Sequence, residues 1–569
     1  MDRLSFPIES LKPHYEIVVI GSGYGGGIAA SRLARAGRQV VVFERGREIQ
    51  SGEYPNHAAA LVKEVQVDVR GIHIGSPTAL FDLRLNDDMN AIVGCGLGGT
   101  SLINANISLA PEPRIFEDPV WPEAVRQDAR RGVLEPYFQY ALDMLGAAPF
   151  PNQMPESPKM KAFTSAAQRL RLQVTRPPIN VTFQAGPNTA GVQQSACVGC
   201  GDCVSGCNYN AKNTVLMNYL PDAKRHGAAI FTCMCARSIV CADRGWNLVF
   251  DQSRSVTADM VILAAGTLGS TEVLLRSAAE GLPLSNALGT RFSGNGDMIG
   301  LTYNAERSIN GIGLGTRSVE GCEPVGPCST VFVDHRNQPN LAEGKIIMDS
   351  AIPGAFGTFL AEVLAEGLEL TGSRAKRGPL GWLNAKYREL CSVAFGPYTG
   401  AVHNSLNYLV VSHDDSGGTM YLDNDKLRIS WPGVGRSAAM RQAADLIRQA
   451  SEALAGDFVP DPVWNRFTGR QLITGHPLGG CVMGESADTA VVNHQGQVFS
   501  GASGTNVHEG LYVMDGAVIP RALGVNPLLT ISALAERSCA LLAAEHGWTI
   551  PYGPPARGGI TGNYPTFPF

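Results

Sequence analysis

The stretch YEIVVIGSGYGGGIAASRLARAGRQVVVFERG, residues 15–46, constrains the fold more than any other part of the chain. Ile17 to Ile20 form an unbroken apolar run, the pattern of a parallel strand buried on both faces. Gly21, Gly23 and Gly26 follow in the spacing G-x-G-x-x-G, and the small and apolar residues of GIAASRLARAG predict a helix. A second β-rich run, Val40 to Phe43, ends on Glu44. In that setting each glycine has a mechanical reason. Gly21 makes the tight turn, Gly23 lets a pyrophosphate reach the backbone, and Gly26 lets the helix lie against the strand. The helix N-terminus turns its free N–H groups towards the phosphates, and Glu44 is placed for ribose hydroxyls. A dinucleotide site is the expectation. The fingerprint does not choose between a flavin and a nicotinamide dinucleotide.

The chain of 569 residues is long enough for two or more cores, and 44% hydrophobic against 17% charged residues fits a packed globular protein. A net charge of -5 supplies no basic field for nucleic acid or an anionic membrane. The N-terminus lacks the n-region, h-region and cleavage site of a leader. The longest apolar run, ADMVILAAGTLGSTEVLL, is broken by Gly266, Gly269 and Glu272, so no transmembrane segment is expected. Thirteen cysteines in a chain this long are not a secreted disulfide framework, and the expectation is a soluble cytoplasmic protein with reduced thiols.

Three later segments extend the reading. VGCGLGGTSLINANI, residues 93–107, carries Gly94, Gly96, Gly98, Gly99, Ser101 and Asn104. It either exposes backbone N–H groups to a planar or anionic ligand or is simply a glycine-rich loop. Residues 258–277 read as a strand over Met260–Ala264, a turn over Gly266–Gly269 and a helix over Ser270–Ser277, returning beside the first strand. HPLGGCVMG, residues 476–484, precedes a strand ending at Asp515-Gly516, a loop with Asn526-Pro527, and a helix from Leu528. Cys197, Cys200, Cys203 and Cys207 form a separate group, Cys-x2-Cys-x2-Cys-x3-Cys, the spacing of bacterial ferredoxin ligands. Asn208 stands where those runs have proline, and no second run exists. Zinc prefers two knuckles on a longer loop, while unligated buried thiols remain open. Cys233, Cys235 and Cys241, in and after a strand at IFTCMCARSIVCAD, read as sheet residues near the adenine.

With these motifs in this order, the chain resembles the glucose–methanol–choline (GMC) oxidoreductases, FAD enzymes that oxidise alcohols. GLGGTSLINANI, CNYNAKNTVLMNYLPDAKRHGA and HPLGGCVMG…GVNP point to the bacterial cholesterol-oxidase-like branch. The resemblance implies an α/β fold: a Rossmann-type FAD-binding domain with an interleaved α+β substrate domain built on an antiparallel sheet. The FAD domain would take residues 1–110, 191–300 (with the cysteine segment) and 476–550, the last carrying the catalytic residues. An excursion would occupy 111–190, the substrate domain 301–475, and a Gly/Pro-rich tail 551–569. The implied FAD contacts are Gly21, Gly23, Gly26, Glu44, Gly98, Ser101, Asn104, Ala236, Asp515, Gly516 and Asn526. No histidine lies in GLGGTSLINAN, where some relatives attach flavin, so the FAD is expected to be noncovalent.

Oxidising an alcohol through a flavin needs a base for the hydroxyl proton and a polar group on the oxygen. The family pattern assigns His476 as base and Asn526 as its partner. The plainer alternatives are a surface or capping histidine and an asparagine that caps the following helix. Some electron-transferring family members carry an iron–sulfur cluster on cysteines spaced x5 and x3. Cys197, Cys203 and Cys207 match that spacing, and Cys200 would complete a four-iron set. With a cluster, electrons would pass to a partner protein; without one, to O2.

In 301–475, TVFVD, GKIIMD and LNYLVVS predict an antiparallel sheet. The apolar positions Phe356, Phe359, Leu360, Val363 and Leu364, and then Trp382, Leu383, Tyr387, Leu390 and Ala394, recur at helical spacing. They are expected to pack on the sheet, with a lid over a greasy, sterol-like alcohol as the alternative. Asp349 reads as a turn residue rather than a second base, and Asp414 and Asp415 as the start of a hairpin turn. The competing functions are a flavin-bound isomerase, a dehydrogenase of sugars or other alcohols, and a non-catalytic electron carrier. A nicotinamide enzyme fits least, since that fold has no need of the returning C-terminal segment.

Overall fold

The computed structural model describes residues 2–251 and 254–552. From residue 553 on, the tail read at 551–569 lies outside them. β1 (His14–Ile20), α1 (Tyr24–Arg35) and β2 (Val40–Phe43) fold as the glycine fingerprint predicts. β1 and β2 pair in parallel, and β3 (Ala229–Phe231) adds parallel to β2. On the other side of β1 lies β4 (Arg254–Leu263), with Ile17 opposite Met260. The second motif therefore does return beside the first strand. The helix that follows, α2 (Gly266–Ala279), starts earlier than the sequence suggests: Gly266–Gly269 form its first turn, not a separate loop. β5 (Val507–Val513) then pairs parallel with the end of β4.

Ile17, Val18, Val19, Val41, Val42 and Phe43 are fully buried. Each such side chain contributes about 1.5–3 kcal/mol on leaving water. α1 packs on α3 (Leu528–Glu545), and Arg32 of α1 forms a bidentate pair with Glu536 of α3 at 2.7 Å per bond. Tyr219 donates to the same carboxylate at 3.0 Å. Deleting one partner would strand a buried charge, a loss of about 3–5 kcal/mol.

A second, six-stranded sheet is antiparallel throughout. Its order is Asp457–Pro460, Met298–Tyr303, Leu406–Ser412, Lys345–Ser350, Phe332–His335 and Val174–Thr175. Its last strand comes from the 111–190 excursion, and the helix Ala438–Ala453 packs on the strand Met298–Tyr303. A five-stranded sheet had no sequence signal. It sets Leu472–Thr474 parallel to Met89–Gly94, and so fixes the chain just ahead of His476.

Several expectations for this half are corrected. Asp349 is a fully buried strand residue opposite Tyr408, not a turn residue. Its carboxylate accepts N–H groups from Thr330 and Val331 and pairs with the buried Lys159. Asp414 and Asp415 begin no hairpin: Leu406–Ser412 stays in the six-stranded sheet, while Thr419–Asp423 pairs with Lys426–Ser430. Cys233 and Cys235 lie in the connection after β3, and only Cys241 ends a strand. The helix Gly357–Thr371 buries Ala361, Leu364 and Leu368, whereas Phe359 and Val363 face solvent. In Pro379–Phe395 the apolar face is outward, with Leu380 78% and Leu390 68% exposed.

Candidate active site

A cavity of about 630 Å³ opens at the C-terminal ends of β1 and β4. That is where a doubly wound sheet leaves room for a ligand. One wall is the fingerprint turn. Gly21 has φ +93°, and a Cβ there would lie 2.3 Å from Ala264 O. At Gly26 a Cβ would strike Gly21 O at 2.0 Å, so this glycine serves helix–strand contact and does not line the cavity. At Gly23, the N-cap of α1, a Cβ would meet no protein atom within 4 Å. The backbone is bare there, beside a helix N-terminus, as an incoming phosphate group requires.

Glu44, Ala236, Asp515 and Gly516 line the same cavity. Burial raises the Glu44 carboxyl above its ordinary range. Its oxygens accept from Gly46 N at 2.7 Å, Ser22 N at 3.1 Å and Ser22 Oγ at 2.5 Å. Asp515 is pushed up to about 6 by burial. It accepts Gly266 N at 2.9 Å and Ala517 N at 2.8 Å, tying α2 to the end of β5. Asn104 also borders the cavity and donates to Tyr24 Oη at 2.6 Å. Gly98 and Ser101 stand off the wall. Ser101 Oγ is used internally, donating to Gly98 O at 2.6 Å and accepting Val215 N at 3.0 Å.

His476 and Asn526 meet in this cavity, although they are 50 residues apart. His476 follows the strand Leu472–Thr474, and its N–H bonds Thr474 Oγ1 at 2.9 Å. Asn526 stands just ahead of α3, whose N-cap is Pro527, so its carboxamide is not a helix cap. Asp297, which the sequence reading missed, completes the group. Its Oδ1 lies 2.7 Å from His476 Nδ1, and its Oδ2 accepts from Thr474 Oγ1 at 2.9 Å and Gly475 N at 3.1 Å. A carboxylate at Nδ1 fixes the proton on that nitrogen, leaving Nε2 with a free lone pair. Asn526 Nδ2 then donates to Nε2 at 3.2 Å. Asn526 Oδ1 is buried with no partner, an acceptor facing a ligand-sized space. The signal that could have found Asp297 is thin: an acid after GNG, ahead of an apolar strand. Nothing in sequence marks its partner 179 residues away.

The four cysteines do not behave as a ligand set. Among the described residues no three His, Cys, Asp or Glu side chains are placed together to hold a metal ion. Cys197, Cys200, Cys203 and Cys207 border a separate cavity of about 20 Å³, space for about one water. That space does not take a four-iron cluster. Burial holds the Cys197, Cys200 and Cys203 thiols protonated, with Cys197 pushed up to about 11 and Cys203 to about 12. Lys212, lowered by burial to about 8, spends its ammonium on the carbonyls of Leu102, Asn104 and Cys203 at 2.9–3.0 Å. The cysteine segment is thus fastened to the loop that carries Asn104.

Neither Asp349 nor the helices Gly357–Thr371 and Pro379–Phe395 line the main cavity. Asp349 and these two helices therefore stand off the cavity. Among the described residues no helix is long and apolar enough to cross a membrane.

Residues 23–293 and 415–535 match the N-terminal and C-terminal family models described as GMC oxidoreductase. A cholesterol oxidase of Mycobacterium tuberculosis is 28% identical over 576 aligned positions, covering 93% of this chain and 91% of that protein. A long-chain-alcohol oxidase of Arabidopsis thaliana is 22% identical, covering 91% of this chain and 66% of its own length. Among solved structures, pyridoxine 4-oxidase from Mesorbium loti superposes with a TM-score of 0.56 at 15% identity, covering 93% of this chain and 99% of its own.

Proposed function

The chain belongs to the GMC oxidoreductase family, and from that premise we propose that it is an FAD-dependent oxidase of a hydrophobic, sterol-like alcohol. The observation that carries the reading is the Asp297–His476–Asn526 arrangement at one end of a dinucleotide-sized cavity. The residues present suit the cofactor: a bare Gly23 backbone at a helix N-terminus, Glu44 beyond it, and an unpartnered Asn526 oxygen. FAD, when bound noncovalently, supplies the acceptor for the hydride that leaves the alcohol carbon.

His476 Nε2 takes the hydroxyl proton. Asp297 keeps the imidazole in the tautomer that can do so and stabilises the imidazolium that forms. Asn526 Nδ2 turns from Nε2 to the substrate oxygen as negative charge gathers on it, and its Oδ1 gains a partner once the cavity is filled. Gly21, Gly23 and the first turn of α1 would hold the pyrophosphate, and Glu44 the ribose. The oxidase names of the relatives support O2 as the electron acceptor, and the cholesterol oxidase supports a sterol over a linear alcohol.

The test is a panel of sterols, long-chain primary alcohols and sugars, assayed for peroxide release by the flavin-loaded protein. A sterol should be the best substrate, and His476→Ala should lower its turnover by about 10³-fold with flavin retained. Best activity on a linear alcohol would shift the substrate class. Undiminished turnover by His476→Ala would remove the proposed base.

A further inference from the structure

His476 and Asn526 come from different parts of the chain, and a hydrogen bond of 3.2 Å between them is only as well defined as the segments behind it. Residues 293–297, just ahead of the strand Met298–Tyr303, grip both. Asp297 holds the His476 side, as described. Two residues earlier, Asn295 is fully buried at φ +54°. Its Oδ1 accepts Leu523 N–H at 2.8 Å, and its Nδ2 donates to Val525 O at 2.7 Å. Val525 precedes Asn526. A single carboxamide thus satisfies one donor and one acceptor of the Asn526 loop, which an ionised carboxylate cannot copy.

The segment is itself pinned to the six-stranded sheet and the loop after it. Asp414 accepts from Ser293 Oγ at 2.7 Å and Gly296 N at 2.9 Å, and Ser412 Oγ donates to Gly296 O at 2.9 Å. The base and its partner are therefore referenced to one short rigid piece of chain. A displacement of about 1 Å at such a pair can cost roughly a hundredfold in rate.

We propose that Asn295 is a positioning residue for alcohol oxidation, setting the Asn526 carboxamide against His476 Nε2 through the Leu523–Val525 loop. The proposal rests on the reading that His476 and Asn526 handle the substrate hydroxyl.

Two variants of the flavin-loaded enzyme test it. Asn295→Gly keeps a residue that adopts φ +54° readily and removes both side-chain bonds. Its turnover per bound flavin should fall about 30-fold, with KM changed less than about threefold. Asn295→Asp keeps the acceptor for Leu523 N–H but donates to Val525 O only when protonated. The turnover ratio of Asn295→Asp to Asn295→Gly should therefore rise as pH falls from about 8 to about 6, because burial raises a carboxyl's pKa. Asp297, His413, Asp414, His476 and Arg521 around the segment are common to both variants, so the ratio isolates position 295. A role in folding alone would lower stability and leave that ratio flat. Turnover of Asn295→Gly within about threefold of the parent, or a flat ratio, overturns the proposal. If Asn295→Gly does not fold, the pH profile of Asn295→Asp against the parent carries the test. An active His476→Ala would instead bring down the functional reading itself.

Discussion

Two groups of reactive side chains lie on either side of the loop that carries Asn104, and they are built in opposite ways. Cys197, Cys200, Cys203 and Cys207 are close in sequence, yet they frame a space for about one water and make no metal-binding group among the described residues. Asp297 and Asn526 are 179 and 50 residues from His476, yet the three form a continuous hydrogen-bonded set, with His476 and Asn526 lining a cavity of about 630 Å³. Closeness along the chain does not make a site. What makes one is convergence onto a space that can hold a ligand, with partners that fix each group's protonation. The cysteines lack that space, and burial keeps the Cys200 and Cys203 thiols protonated.

The comparison breaks most sharply at Asp297. Asp297→Asn retains the shape but offers His476 Nδ1 an ambiguous partner, so the imidazole can place its proton on Nε2, where a base needs a lone pair. Turnover should fall by about a hundredfold, with flavin affinity and fold intact, as steady-state kinetics and flavin titration would reveal. Parent-like turnover would mean that the histidine needs no orienting acid, and the contrast with the cysteines would lose its main support.

Much of this was legible beforehand, for reasons that are local. The strand, glycine turn and helix of 15–46 are dictated by nearest neighbours, and so is the returning strand read at Met260–Ala264, which the structure extends back to Arg254 and ends at Leu263. His476 and Asn526 could be singled out because motifs surround them. Asp297 and Asn295 could not, because their meaning lies in partners reached across three sheets. The cysteine spacing misled for the same reason in reverse: spacing states what a loop could wrap, not whether room is left at its centre. The helix Pro379–Phe395 misled too, since helical periodicity reveals an apolar face but not the side it faces.

Next in size is a test on the cysteine side. Protein purified without oxygen should carry flavin with no stoichiometric iron or acid-labile sulfide. Cys203→Ala should cost about 1–2 kcal/mol of stability, the loss expected for a small buried hydrophobe, while turnover stays within about twofold. Iron and sulfide that disappear in Cys203→Ala, together with lost turnover, would turn the scaffold into a redox centre and erase the distinction between the two groups.

The smallest effect separates burial from partnership within a single residue type. Asp297 is engaged by His476, Thr474 and Gly475, whereas buried Asp461 accepts from Val463 N at 3.0 Å and is pushed up to about 6 by burial. The unfolded chain releases that proton near pH 3.9. Between the two values the folded state binds more protons than the unfolded, so stability from this group falls as pH rises through the window and stays lost above about 6. Asp461→Asn has no such titration. It should therefore be more stable than the parent at about pH 8, by about 1 kcal/mol once the new amide hydrogens are accommodated, and the gain should shrink as pH falls towards about 4. Thermal unfolding of the two proteins across that range reads the difference directly. A gain that is the same at every pH would mean the carboxyl is not held neutral by burial.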